Sequence, residues 1–201
     1  MPVKFSILIL LLLFKSGLSG QQYNRNVLEK WVVERSSSLN IQGETNINNF
    51  QCDVTEYLRD DTLSYISNDQ TKKLWFTNSC LTIDIKRFDC HSKMITKDFK
   101  TTLKEKENPV FKIRFLSLDQ FAEAGENQAV NGIVDIGLAG VIKRTEICYT
   151  IKTLPGNRIL LTGTHIFSFS DFNLHAPKKL AGMVRTKDKI KVNFRLFFKA
   201  L

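Results

Sequence analysis

Apolar and polar residues alternate with a period of two toward the end of this chain. Ile190, Val192, Phe194 and Leu196 are apolar, and Lys191, Asn193 and Arg195 stand between them. The same alternation runs through Leu81, Ile83 and Ile85 against Cys80, Thr82, Asp84 and Lys86, and through Phe111, Ile113 and Phe115 against Lys112 and Arg114. Ile159, Leu161, Phe167 and Phe169 fall on one face of a further segment. Successive side chains of a strand point to opposite faces, so each segment predicts one buried and one solvated face, as antiparallel sheets require. Turn signals separate the segments at Ser67-Asn-Asp-Gln70, at Leu138-Ala-Gly140 and, most strongly, at Leu154-Pro-Gly-Asn157. About eight to ten strands are predicted in this way. One stretch, residues 92–103, changes period. Ile95, Phe99 and Leu103 recur every fourth residue, the apolar stripe of a helix, and Pro109 stops any extension of it. Many short strands predict a sandwich or a barrel, and a single helix set among them favours a barrel with a lid or plug.

The first twenty residues break this pattern. Lys4 is followed by the apolar run Phe5–Phe14, and small residues close the segment at Gly17-Leu-Ser-Gly20. A charge, a short apolar core and a small-residue exit predict a secretory signal peptide over 1–20. A membrane span needs about 20 apolar residues, twice what this run supplies. Residues 21–201 then form one exported domain, long enough to bury a sizeable core. The net charge of +9 falls by two with the loss of Lys4 and Lys15. The remaining basic residues alternate with apolar ones along predicted strands. They read as a solvated sheet face and not as a nucleic-acid surface, and they leave room for transient contact with an anionic membrane.

Catalytic chemistry is sparse. His91, His165 and His175 form no H-x-H or H-E-x-x-H array, and His165 shares a strand face with Leu161 and Phe167, which reads as a core position. No nucleophile elbow, phosphate loop or dinucleotide fingerprint is present. Ser36–Ser38 read as a bend, and the adjacent acids Asp60 and Asp61 as solvated. The chain is therefore expected to be no enzyme and to need no metal or cofactor. Cys52, Cys80, Cys90 and Cys148, an even number in an exported chain, predict two disulfides. Partner numbers in a hairpin sum to a near constant, and a turn centred near residue 70 places Cys52 opposite about residue 88. Cys52–Cys90 follows, and Cys80–Cys148 is left as the second pair, with both of its side chains pointing outward.

Large apolar side chains are abundant: 15 Phe, all but Phe5 and Phe14 in the mature region. Composition leaves open whether they fill the barrel or line a cavity. Several strings in order resemble YceI-like domain proteins, in the form common in Bacteroidetes-type bacteria. They are Trp31-Val-Val with SSSLNIQGETNINNFQC at 36–52, Phe88-Asp-Cys90 followed by Pro109-Val-Phe, VNGIVDIGLAGVIK at 130–143 with Gly132 and Gly140 at its expected ends, SFSDFNLHAP at 168–177, and MVRTKDKIKVNF at 183–194. The resemblance implies an all-β, extended, antiparallel, lipocalin-like barrel of about eight strands with one short helix. It also implies a polyisoprenoid or other long-chain lipid held inside. The cysteines depart from the simplest members and suggest a disulfide-bearing branch. The family has no fixed polar signature to carry over, so strand parity alone assigns the candidate lining: Ile83, Ile85, Phe111, Ile113, Phe115, Leu161, Phe167, Ile190, Val192 and Phe194. Two functional classes stand side by side: a periplasmic or secreted lipid carrier, and an interaction module with a filled barrel and function on its surface loops.

Overall fold

The segments of period-two alternation become strands, and the one segment of helical period becomes the helix. The computed structural model describes residues 28–68, 70–119, 127–179 and 183–201; the expected signal peptide lies outside them. The strands are β1 (Leu28–Val33), β2 (Ser38–Thr45), β3 (Asn49–Val54), β4 (Thr62–Asn68), β5 (Lys73–Thr77), β6 (Cys80–Asp84), β7 (Val110–Leu118), β8 (Gln128–Leu138), β9 (Val141–Leu154), β10 (Arg158–Ser168), β11 (Lys178–Lys179) and β12 (Val184–Ala200). The helix α1 (Lys93–Thr102) lies between β6 and β7.

All strand pairings are antiparallel, and eight strands close a ring in the order β1, β4, β5, β7, β8, β9, β10, β12. The closure is the pairing of Trp31–Val33 with Phe198–Ala200. Closure leaves the ring without an exposed edge. Two long strands serve two tiers. β12 pairs with β10 on one side and on the other with β2, through Arg195, and then with β1. β7 pairs with β8 on one side and on the other with β6 and then β5. One end of the barrel is therefore walled by β1, β4 and β5, and the opposite end by β2, β3 and β6.

The turns follow their signals. Ala139 and Gly140 both take positive φ between β8 and β9, as do Gly156 and Asn157 between β9 and β10. Ser37, in the expected bend, is buried and brackets β12: its hydroxyl donates to the Phe197 carbonyl (3.2 Å) and accepts from the Phe197 amide (2.9 Å). Asp61 is not simply solvated. It accepts from the Tyr57 hydroxyl and from the Thr82 amide (2.8 Å), stitching the segment before β4 to β6. Burial and this hydrogen bond raise the Tyr57 hydroxyl pKa.

The disulfide Cys52–Cys90 is present. Beside it, Asp53 and Asp89 form an isolated antiparallel bridge whose residue numbers sum to one more than those of Ser64 and Thr77 in the β4–β5 hairpin, although β3 and β6 themselves pair with β2 and β7. The second expected bond is not formed: Cys80 and Cys148 are free thiols. Sheet topology is the reason. Cys80 sits on β6 opposite Arg114 of β7, while Cys148 sits on β9 opposite Asn131 of β8, so β7 and β8 lie between them. Neighbouring strands are spaced about 4.8 Å apart. Elimination among cysteines ignored that distance.

On the outer face, Asp135 of β8 is 5% exposed between its cross-strand partners Arg114 and Arg144. Arg114 donates at 2.5 Å and Arg144 at 2.8 Å. The Arg144 hydrogen bond, opposed by burial and helped by Arg114, holds the Asp135 carboxyl below the usual carboxylate range. A depressed folded-state pKa contributes stability above the unfolded value, about 3.9, that is lost as pH falls through the lower folded value. The thermal midpoint of Asp135→Asn is thus expected to lie below wild type at neutral pH and to converge with it in acid below about pH 4. A gap that stays constant with pH shows that the carboxylate charge is not what matters.

Candidate functional site

The interior divides into two halves. At the β1–β4–β5 end it is packed with rings. Trp31 meets Tyr65 at 4.8 Å, Phe198 at 5.5 Å and Phe76 at 5.9 Å between centroids, and Phe76 meets Phe115 at 5.5 Å. Phe115 meets Tyr149, which meets Phe194, at 6.5 and 6.4 Å. Offset and tilted pairs of this kind are the favoured packing of aromatic rings. Tyr149 and Phe194, both opposite Gly163, end this stack, and burial raises the pKa of the Tyr149 hydroxyl.

Toward β2, β3 and α1 the interior opens into a cavity of about 40 Å³ in which every lining side chain is apolar, phenylalanines mixed with aliphatic residues. Of the ten candidates from strand parity, Phe111, Phe167, Ile190 and Val192 line this cavity. The other six are buried elsewhere. Phe115 and Phe194 belong to the aromatic half, and Ile113, Leu161, Ile83 and Ile85 are all at most 5% exposed in the surrounding core. Parity therefore separates inside from outside for the nine that lie on strands, while Ile85 falls in a 3-10 turn after β6 and is buried there; parity carries no information about depth along the barrel. Sequence reading assigned no cavity role to Leu39, Ile41, Phe88, Leu103 or Phe99. The helical stripe was the available signal for Phe99 and Leu103, since a stripe facing the barrel end must cover whatever lies there. His165 has the inward parity expected of it but is only half-buried. It packs on Phe167 (4.6 Å), and burial lowers its pKa. Gly132 lies inside β8, not at a hairpin end.

Outside α1, a groove of about 330 Å³ runs between the helix, the β2–β3 hairpin and the start of β12, lined largely by Ile47, Phe50, Met94, Ile95, Pro177 and Val184. Phe99 lines both the groove and the buried cavity and forms the partition between them. Phe50 lies flat over Gly43, where a Cβ would come within 2.2 Å of its ring, so a glycine is needed there for the ring to lie against the wall.

The partition is fastened at one end. The Cys52–Cys90 bond ties the residues before α1 to β3, and the Cys90 amide donates to the Thr96 hydroxyl (2.9 Å). His91 reaches Asp53 at 2.7 Å, and Asn40 donates to the same carboxylate at 2.6 Å. Burial pushes the Asp53 carboxyl up, but its hydrogen bonds to Asn40, Gln51 and His91 outweigh this and hold it below the ordinary range. The hydrogen bond to Asp53 raises the pKa of His91. Among the described residues, the far end of the helix past Thr102 makes no such tie to β3. Among the described residues, too, no group of acids, histidines and cysteines is placed to hold a metal ion.

Compared by sequence, the chain matches no family model and no curated protein. Compared by structure, it is similar to a polyisoprenoid-binding domain from Saccharophagus degradans implicated in plant cell wall breakdown. That match has a TM-score of 0.62 and 15% identity, and it covers 87% of this chain and all of the other. The chain shares that fold. It is also similar to BcnA of Burkholderia cenocepacia, with a TM-score of 0.57 and 16% identity, over 80% of this chain and 95% of the other. At such identities the likeness is one of architecture, and it places the present barrel among folds of the type expected from the YceI-like strings.

Proposed function

We propose that this protein is an exported carrier whose barrel holds the tail of a long-chain apolar molecule, of polyisoprenoid or fatty-acyl type, between the Tyr149 stack and α1. The observation that carries the reading is a wholly apolar cavity of about 40 Å³ beside a largely apolar groove of about 330 Å³, with the Phe99 side chain lining both. A cavity of 40 Å³ is little more than a water's share of liquid volume, whereas an engineered apolar cavity of about 150 Å³ takes benzene. Loading therefore requires Phe99 and the C-terminal turn of α1 to swing aside, joining the cavity to the groove. Burial of a chain gains about 0.8 kcal/mol per CH₂, which is ample to move one ring. The shared fold with a polyisoprenoid-binding domain supports this choice of ligand. The apolar segment at 5–14 and the disulfide support export to an oxidising compartment, periplasmic or extracellular.

The packed aromatic half favours a second reading, an interaction module that uses its surface loops. One experiment separates the two. Protein purified without detergent is extracted into organic solvent for mass spectrometry, and the stripped protein is titrated with a fluorescent long-chain fatty acid. The carrier reading expects a co-purifying long-chain species and saturable binding that Val192→Phe, which places a ring in the cavity, abolishes without unfolding the barrel. If neither a ligand nor saturable binding is found, the module reading stands in its place.

A further inference from the structure

Among the described residues nine large hydrophobic side chains are exposed, and three of them converge on the end of the barrel that carries the groove. Ile47 and Met94 are 68% and 66% exposed and line the groove from opposite sides. Met183 is 70% exposed, and its carbonyl accepts from the Asn46 side chain at 2.8 Å, which fixes it beside the Ile47 turn. Single exposed apolar residues are ordinary on protein surfaces, but a patch around an opening signals a contact surface.

The charges around this patch are unbalanced. Lys93 and Lys97 are exposed on α1, and Lys178 faces Arg185 across the pairing of β11 with β12. Lys187 is neutralised by Glu44 at 2.5 Å, and Asp188 is engaged by Ser170 at 2.6 Å. Lys93, Lys97 and Lys178 remain as exposed basic side chains around the patch.

We infer that this end of the barrel docks on an anionic lipid bilayer, with Ile47, Met94 and Met183 inserted among the acyl chains and Lys93, Lys97 and Lys178 at the headgroups. The side chains suit that occupant. They are flexible and aliphatic or thioether in kind and stand proud of the surface, and a basic ring around apolar residues is the pattern of interfacial binding. The inference rests on the carrier reading for its purpose, because the docked groove would open onto the layer from which a long-chain ligand must be drawn. Its test does not depend on that reading.

Ligand-free protein is floated with vesicles of phosphatidylcholine alone or of phosphatidylcholine mixed with phosphatidylglycerol. The triple variant Ile47→Asp, Met94→Asp, Met183→Asp and the charge variant Lys93→Glu, Lys97→Glu, Lys178→Glu are compared with wild type, and fatty-acid binding in solution is measured in parallel. Wild type is expected on phosphatidylglycerol vesicles only, released by high salt, with each variant binding about tenfold less or weaker, the change that 1.4 kcal/mol produces. Lys93, Lys97 and Lys178 line neither the cavity nor the groove, so the charge variant should keep wild-type binding of the fatty acid. Absence of wild-type flotation, equal binding to both vesicle types, or variants that float like wild type overturns the docking. So does a concentration-dependent dimer that the triple Asp variant abolishes in the absence of flotation, which would make the patch a self-interface. Loss of fatty-acid binding in the wild type strikes the carrier reading instead and leaves the flotation result standing.

Discussion

Replacing Cys52 and Cys90 together with alanine is expected to lower stability by about 4 kcal/mol at 25 °C, the value loop-closure entropy gives for a crosslink spanning 38 residues. For a domain of this size that corresponds to a fall in thermal midpoint of roughly 8–16 °C. The loop it closes contains β4, β5 and β6, three strands of the wall, so the unfolded chain gains much freedom when the bond is cut. The bond also joins β3 to the residues before α1 where no sheet pairing does so, since among the described residues β3 pairs only with β2 and one isolated bridge, Asp53 to Asp89, lies beside the bond. The hydrogen bonds of His91 and Asn40 to Asp53 remain in the variant, so the helix should loosen before the barrel melts. Thermal unfolding followed by near-ultraviolet dichroism, with and without dithiothreitol, measures this. Wild type with reductant should melt like the double variant, and the variant should not respond to reductant. Peptide mapping without reductant should return Cys52 joined to Cys90 and two alkylated thiols. Cys148, exposed, should react first, and Cys80 more slowly, because burial raises its thiol pKa. An unchanged midpoint would mean that the native tie is already made by the neighbouring hydrogen bonds.

Much of this architecture was legible because closed sheets impose a simple parity. In β7 and β12 the apolar positions are the inward ones, and the ten candidate residues are buried without exception. The helix was legible from Ile95, Phe99 and Leu103, since a period of four has no place in a strand. What parity cannot express is height along the barrel axis. Phe115 and Phe111 lie on the same face of one strand, yet Phe115 belongs to the aromatic stack and Phe111 to the cavity wall. Their depths depend on the shear between strands and on bulges such as the one between Phe115 and Ser117, which no single strand records. The same blindness explains Cys80 and Cys148: outward parity was right for both, but the number of strands between them is a property of the closed ring. Asp61 was misread for a related reason, because its partners Tyr57 and Thr82 meet it only once the segment before β4 crosses to β6.

Gly163→Ala is expected to destabilise the protein by about 1–3 kcal/mol, and the loss should vanish when Tyr149 is also replaced by alanine. The reason lies in how Tyr149 ends the aromatic stack. A Cβ built on Gly163 falls 2.8 Å from Tyr149 Cδ1, and one on Gly132 falls 2.8 Å from Tyr149 Cε2, so the ring occupies the space that two missing side chains leave on neighbouring strands. Tyr149 is only 2% exposed and also meets Phe115 and Phe194, so it has nowhere to retreat when that space is filled. The backbone at Gly163 does not take positive φ, so alanine carries no conformational penalty there. In a background without the ring, alanine should even gain part of the roughly 0.4–1 kcal/mol that Gly→Ala brings by restricting the unfolded chain. The Cys148 carbonyl, 3.3 Å from that Cβ, offsets some of the gain. Tyr149→Ala alone should cost about 3–5 kcal/mol as a large-to-small change in a packed core. Denaturant unfolding of the two single variants and the double variant reads the coupling directly. A Gly163→Ala penalty that persists in the Tyr149→Ala background places the clash with the backbone instead.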